Sequence, residues 1–243
     1  MMNSVYYDPV YFDAEWGLHH LVRRIVGAVY SGLTELARHF TKILDFILTP
    51  KGVVIENIWT GFTTVTSSLT IPITVSTANN KYVVVAISTV TGSVGTCTLN
   101  GAAMTLLAGT NTNRGVYLYG IVPSTTGMQN LSFSTSSNVN RAVVWECSGV
   151  NQTTPTLDSQ TATSASVASI STPSMTCSPY GMILEAADFA SGTITPSNGQ
   201  TPVVVNSINS GASFRPSGST QVESWGSTTA SACRISATSL NPA

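Results

Sequence analysis

The sequence predicts a mainly β protein: an antiparallel two-sheet β-sandwich of jelly-roll type, preceded by one long α-helix. Three observations carry this. After Pro50-Lys51-Gly52 the apolar pattern takes period two and never returns to the helical period. Short runs rich in Val, Ile, Tyr, Thr and Trp then alternate with Gly, Asn, Ser, Thr and Pro clusters, the pattern of strands cut by turns. Before Pro50, apolar residues instead recur at helical spacing. The expected organisation is an extended aromatic arm over 1–14, an amphipathic helix over 15–49 and a β-sandwich over 50–243.

The arm carries Tyr6, Tyr7, Tyr11 and Phe12 around Asp8-Pro9. It is too short and irregular to fold alone. Aromatics are what buried interface cores select, so an anchor peptide on a partner or a neighbouring copy is expected.

Asp13 can cap the helix, Glu15 suits its first turn, and Thr49-Pro50 ends it. Between them lies an apolar stripe: Leu18, Val22, Ile25, Val29, Leu33, Leu36, Phe40, Leu44 and Ile47. The stripe repeats every eleven residues (18/29/40, 22/33/44, 25/36/47), and Leu21, Gly32 and Ile43 widen it at the same period. Eleven residues in three turns favour a straight or slightly right-handed bundle over a heptad coil. Arg24, Glu35, Arg38, Lys42 and Asp45 occupy the other face.

The helix is a rod of about 50 Å. Its stripe could cover the β domain of the same chain, a bundle of copies, or a membrane or foreign partner. The rod is long for the side of one sandwich, which favours a homo-oligomer, with a trimer preferred for so wide a stripe. Arg23, Arg24, Arg38 and Lys42 give the basic bias of an interfacial helix, but Glu35 and Asp45 weigh against a membrane. Gly27 and Gly32 each cost about 1 kcal/mol against Ala, which close approach of another backbone would explain. His19, His20 and His39 read as polar-face residues.

In the β region the expected strands begin with Val53–Trp59 and Leu69–Val75, the latter an edge strand because it contains Pro72. Tyr82–Ser88, Val94–Leu99, Met104–Leu107, Val116–Val122, Leu131–Ser134 and Ala142–Cys147 follow. The last are Ser166–Ile170, Met182–Ala187, Val203–Ile208, Gln221–Trp225 and Ala232–Ala237. Asn100-Gly101 is the strongest turn signal and predicts a hairpin. The Ser/Thr tracts at Thr161–Ser171 and Ser227–Ser231 alternate with Val and Ala, which suits strands or loops better than disorder.

Composition narrows the chemistry. Hydrophobic residues make up 42% of the 243, enough for a real core, and charged residues only 9%, far below the roughly 25% of ordinary domains. From residue 57 on there are five basic side chains (Lys81, Arg114, Arg141, Arg215, Arg234) and five acidic ones (Glu146, Asp158, Glu185, Asp188, Glu223). Scattered basic residues and a net charge of −1 argue against nucleic acid. The first residues lack the basic and apolar regions of a secretory signal, and no apolar run reaches the ~20 residues of a membrane span. Cys97, Cys147, Cys177 and Cys233 form no CxxC pair. Buried free thiols are the leading expectation and a disulfide the alternative, with Cys147 pointing into the core.

No reaction centre is evident. All three histidines lie in the helix, so the β region has no imidazole to serve a nucleophile. Glu185 and Asp188 are its only close carboxylates. On a strand they face opposite sides, and a solvent-facing strand end is expected for them. No P-loop, Rossmann or EF-hand pattern occurs. Neither a catalytic residue nor a metal or cofactor is expected. Trp59 and Trp225 remain as candidate glycan-stacking platforms; Trp145 alternates with core residues and reads as structural.

Three runs carry a resemblance: Thr98-Leu-Asn-Gly-Ala-Ala-Met-Thr-Leu106, Leu118-Tyr-Gly-Ile-Val-Pro-Ser-Thr-Thr-Gly127 and Ser148-Gly-Val-Asn-Gln-Thr-Thr-Pro155. Their order and distances, with the final Ala237-Thr-Ser-Leu-Asn-Pro-Ala243, resemble a β-sandwich domain common in tailed-phage virion proteins and some bacterial surface proteins. Leu99 and Asn151 stand where that family usually has Tyr and Asp. The likeness covers residues 69 to 243 and omits the helix. It implies a β-sandwich fold and no catalysis. The expectation is a phage virion structural protein: a capsid fibre, decoration protein, or tail or adaptor component, assembled in the host cytoplasm. Its partners would be its own copies and other virion proteins. The alternative is a carbohydrate-binding or adhesion module for host-surface polysaccharide.

Overall fold

The computed structural model describes residues 14–48, 52–63, 66–109, 114–136, 140–203, 209–218 and 220–243, with helix side chains over 20–42. It divides into two units, 1–49 and 50–243. The expected arm with Tyr6, Tyr7, Tyr11 and Phe12 lies outside the described residues.

The first unit contains α1 (Ala14–Leu48), within a residue of the expected bounds at each end. The second begins with β1 (Val54–Thr63), β2 (Ser68–Val75), β3 (Tyr82–Thr89), β4 (Val94–Leu99) and β5 (Ala102–Ala103). Then come β6 (Thr105–Gly109), β7 (Gly115–Ile121), β8 (Gly127–Thr135), β9 (Asn140–Ser148) and β10 (Thr156–Ser171). The last five are β11 (Met182–Phe189), β12 (Ile194–Pro196), β13 (Thr201–Val203), β14 (Ser210–Pro216) and β15 (Ser224–Leu240).

The fold is mainly β and antiparallel, as predicted, but the described residues form three sheets rather than two. The central sheet runs β1-β9-β3-β7-β6. One outer sheet is β2-β8-β4-β5; the other is β10-β15-β11-β14-β13, with β12 paired to β15. On one face of the central sheet Tyr82, Val84, Ala86, Leu118 and Trp145 pack with Met182, Leu184 and Ala212 of the C-terminal sheet. On the other, Val83, Val85, Ile87 and Val144 pack with Ile71, Ile73, Leu131 and Phe133 of the β2-containing sheet. Every residue of β3 is buried. An unbroken apolar run such as Tyr82–Ile87 is the signature of a strand covered on both faces, and that is what the third layer supplies.

Local chemistry sets the turns. Asn100 and Gly101 have φ of 49° and 84°, both left-handed, and Leu99 pairs with Ala102, the two-residue type I′ hairpin. Pro72 sits on β2, at the edge of its sheet, where its missing N–H leaves no ladder bond unmade. Gly120 is required by packing: a Cβ there would fall 2.2 Å from the Tyr82 hydroxyl oxygen. Asn151 Oδ1 accepts the Thr153 and Thr154 N–H groups, each at 2.9 Å, a bond that Asn or Asp makes equally. The same loop receives the chain's last residues, with Asn151 N donating to Asn241 O and Ala243 N to Gly149 O.

The largest departures from the expected strands lie in β10 and β15. They run 16 and 17 residues, paired from Thr156↔Leu240 to Ser171↔Ser224, where shorter, separate runs were expected. Ser and Ala carry little β signal, so mutual backbone pairing extends these strands where side-chain pattern does not. Of the expected Val203–Ile208 strand only Val203 is described, as the last residue of β13, and 204–208 lie outside the described residues.

Candidate functional site

The described part of the stripe lies on α1. Every described side chain from 20 to 42 is exposed. Leu21, Val22, Ile25, Val26, Val29, Tyr30, Leu33, Leu36 and Phe40 all lie between 48% and 75% exposed. The side chains of Leu18, Leu44 and Ile47 lie outside the described residues. At about 100° per residue Gly32 falls within the stripe and Gly27 opposite it, so the expected close approach of another backbone would bear on Gly32 and not on Gly27. Glu35 pairs with Arg38 at 3.2 Å on the polar face. No described helix is long and apolar enough to cross a membrane.

Within the β unit, the candidate chemistry turns inward. Glu185 and Asp188 do face opposite sides of β11, but neither is at a solvent-facing end: both are fully buried, as are Glu146 and Glu223. Four of the five acidic residues counted from position 57 are therefore interior. With sheets covering one another, these carboxylates serve as connectors between strands.

Asp188 joins the central sheet to the C-terminal one. Its Oδ1 accepts from Arg114 Nη1 at 2.8 Å and its Oδ2 from Ser88 Oγ at 2.8 Å and from Ser210 Oγ. Arg141 Nη1 stands 3.9 Å away; burial pulls that guanidinium below its ordinary pKa, with Asp188 opposing. Arg141 also lies over the Phe62 ring, 5.6 Å from its centroid, a cation–π arrangement. Glu146 accepts from Asn57 Nδ2 at 2.8 Å and the Ser76 N–H at 2.7 Å, tying β1 and the chain after β2 to β9.

On the outer face of β11, Glu185 Oε1 accepts from Trp225 Nε1 at 2.9 Å and from Ser213 Oγ. Burial pushes the Glu185 carboxyl up to about 8. Nearby, Glu223 accepts from Arg215 Nη2 at 2.5 Å and Nε at 3.0 Å, and from Gln200 Nε2. These are structural networks that join strands through buried carboxyl groups.

Trp225, a candidate glycan platform from the sequence, is a correction. It is 2% exposed, with its indole N–H bonded to Glu185, so it offers no ring face to a sugar. Trp59 is half-buried against the β2-side core. Trp225→Ala is expected to cost about 3–5 kcal/mol, as large-to-small core changes do, read as a lower urea midpoint. A fully stable variant that lost glycan binding alone would reverse this assignment.

All four cysteines are free and buried, and burial raises the Cys97 and Cys147 thiols, which makes them poor nucleophiles. Among the described residues no three His, Cys, Asp or Glu side chains gather to hold a metal. An open groove runs beside β1, lined by residues 53–58 with Met182 and Phe214. Its polar members are engaged elsewhere, Glu56 with Ser148 and Asn57 with Glu146. No family model, curated protein or solved structure matches this chain.

Proposed function

We propose that the chain is a structural protein of a bacteriophage virion, a capsid fibre or decoration protein or a tail or adaptor component. The arm and helix anchor and oligomerise it, with a trimer preferred, and the β unit is displayed. The observation that carries this reading is the exposed helical stripe from Leu21 to Phe40. Nine large apolar side chains, each about half exposed or more, exceed the scattered apolar exposure of a monomer's surface. The runs at 98–106, 118–127 and 148–155 support the virion setting by their resemblance, and in this chain they are turns and strands rather than sites. A virion shell component needs packing and display, and the buried carboxylates fit that need.

The glycan-binding alternative loses Trp225 as a platform, and no other observation favours it. The test is mass spectrometry of tailed-phage particles purified from the host that carries this gene. The chain is expected in many copies per particle and in fixed ratio to the shell or tail proteins. Its absence from particles, with abundant free chain in the same lysate, would overturn the proposal.

A further inference from the structure

Asn100-Gly101 and Asn198-Gly199 are the two Asn-Gly pairs of the chain, and both sit in left-handed turns. Their φ angles are 49° and 84° in the first pair and 62° and 74° in the second, where these residue types are at home. The same dipeptide has a chemical liability. A glycine nitrogen has no Cβ beside it to hinder its approach to the Cγ of the preceding asparagine.

At Asn198 the structure ties down the reacting parts. Its Nδ2 donates to Val222 O at 3.3 Å and to the Ser224 hydroxyl at 3.5 Å. Its backbone carbonyl accepts from Arg215 Nη1 at 3.0 Å, and Arg215 is itself fixed by the buried Glu223. Ser197 N donates to Ser224 O just before the turn. Rotating Asn198 into a geometry of attack breaks several of these bonds at once.

Asn100 has no such ties. Asn100 and Gly101 are both exposed, and the Asn100 side chain makes no hydrogen bond among the described residues. A Cβ on Gly101 or on Gly199 would meet open space, so steric access does not separate the two turns; the bonds on Asn198 do. Beyond Asn100, β5 has two residues, both exposed, and is the last strand of its sheet. Thr98↔Ala103 and Leu99↔Ala102 are its pairs with β4. Asn100 N donates to Asn130 O at 2.8 Å, which fixes the β4 side of the turn and leaves the Gly101 side to move. Short, exposed pairing at a sheet edge opens locally without global unfolding.

We propose that Asn100 is a site of spontaneous deamidation, and that the fold directs the reaction there while protecting Asn198. When the hairpin opens, the Gly101 nitrogen attacks Asn100 Cγ. The new N–Cγ bond forms, the Cγ–Nδ2 bond breaks, and ammonia leaves with the proton that the Gly101 nitrogen gives up. Water then opens the cyclic imide at either carbonyl, leaving aspartate or isoaspartate. The net change is amide plus water to carboxylate plus ammonium, with nothing oxidised or reduced.

The position gives the product its effect. Strands β2, β8, β4 and β5 contain no charged residue, so the carboxylate is a new charge on a neutral sheet. Isoaspartate also routes the backbone through the side chain and lengthens it by one carbon. The turn between Leu99 and Ala102 takes two ordinary residues, so β5 loses its register with β4.

The test incubates the full chain at mildly alkaline pH, folded and in urea, and follows both Asn-Gly peptides by mass spectrometry, with aspartate and isoaspartate separated by chromatography. In urea both dipeptides are expected to convert at similar rates. In the folded chain Asn100 is expected to convert at least about tenfold faster than Asn198. Asn100→Gly keeps a residue suited to the turn and removes the amide, so most ammonia release from the folded chain should disappear. Equal rates at the two sites in the folded chain, or faster conversion of Asn198, would overturn the proposal. So would an Asn100 that stays intact in the folded chain while the chain in urea converts.

Discussion

Asp188→Ala is expected to destabilise the β unit by about 3–5 kcal/mol, because removing one partner of a buried pair strands the other. Arg114 stands 2.8 Å from the carboxylate and Arg141 at 3.9 Å, with both guanidinium side chains mostly buried. Ser88 and Ser210 donate to the same oxygen. The alanine variant would leave positive charge between two sheets without its counter-ion, where water cannot replace it fully. Asp188→Asn keeps the shape and one acceptor but not the charge, so a smaller loss is expected, about 1–3 kcal/mol. Urea denaturation at neutral pH measures both, with the slope of the transition unchanged. A cost below about 1 kcal/mol for Asp188→Ala would mean the cluster fills space rather than joining the sheets.

The second large effect lies in the helix. Replacing Leu33, Leu36 and Phe40 together with Ser should reduce the full chain from oligomer to monomer in size exclusion with light scattering. Each of these side chains is about 60% exposed in the single chain, and fully burying one is worth about 1.5–3 kcal/mol. Three per copy would withdraw several kcal/mol per subunit, enough to weaken association by at least about a thousandfold. Unchanged mass in the triple variant would remove the helix from assembly. A natural chain that is monomeric but binds anionic vesicles would transfer the stripe to a membrane surface.

Much of the fold was legible. The switch of period at Pro50 located the two units, the Asn100-Gly101 dipeptide located a hairpin with its register, and Pro72 located a sheet edge. Each is a local rule, and each holds because nothing distant overrides it. The third sheet was not legible in the same way. The unbroken run Tyr82–Ile87 signals cover on both faces, but which strands supply it depends on residues far along the chain. The carboxylates were misjudged for a related reason. Glu185 sits in a run, Met182–Phe189, that is buried on every residue. A charged residue inside such a run signals an interior partner, and Trp225 and Ser213 are those partners. With alternation absent from that run, Glu185 need not have been sent to the surface. Trp225 was misjudged with it, since its burial follows from the covering of β11's outer face.

The layering also follows the order of synthesis. β1 to β9, all before residue 150, build the central sheet and one outer sheet, whereas β10 to β15, all after residue 155, build the other. As the chain emerges from the ribosome, its first two layers can pair while Tyr82, Val84, Leu118 and Trp145 still face water. Domains generally fold as units, and exposed apolar surface invites aggregation meanwhile. The last third of the chain closes that face. Ala243 reaches back to Gly149, so strands made late close over sheets made early.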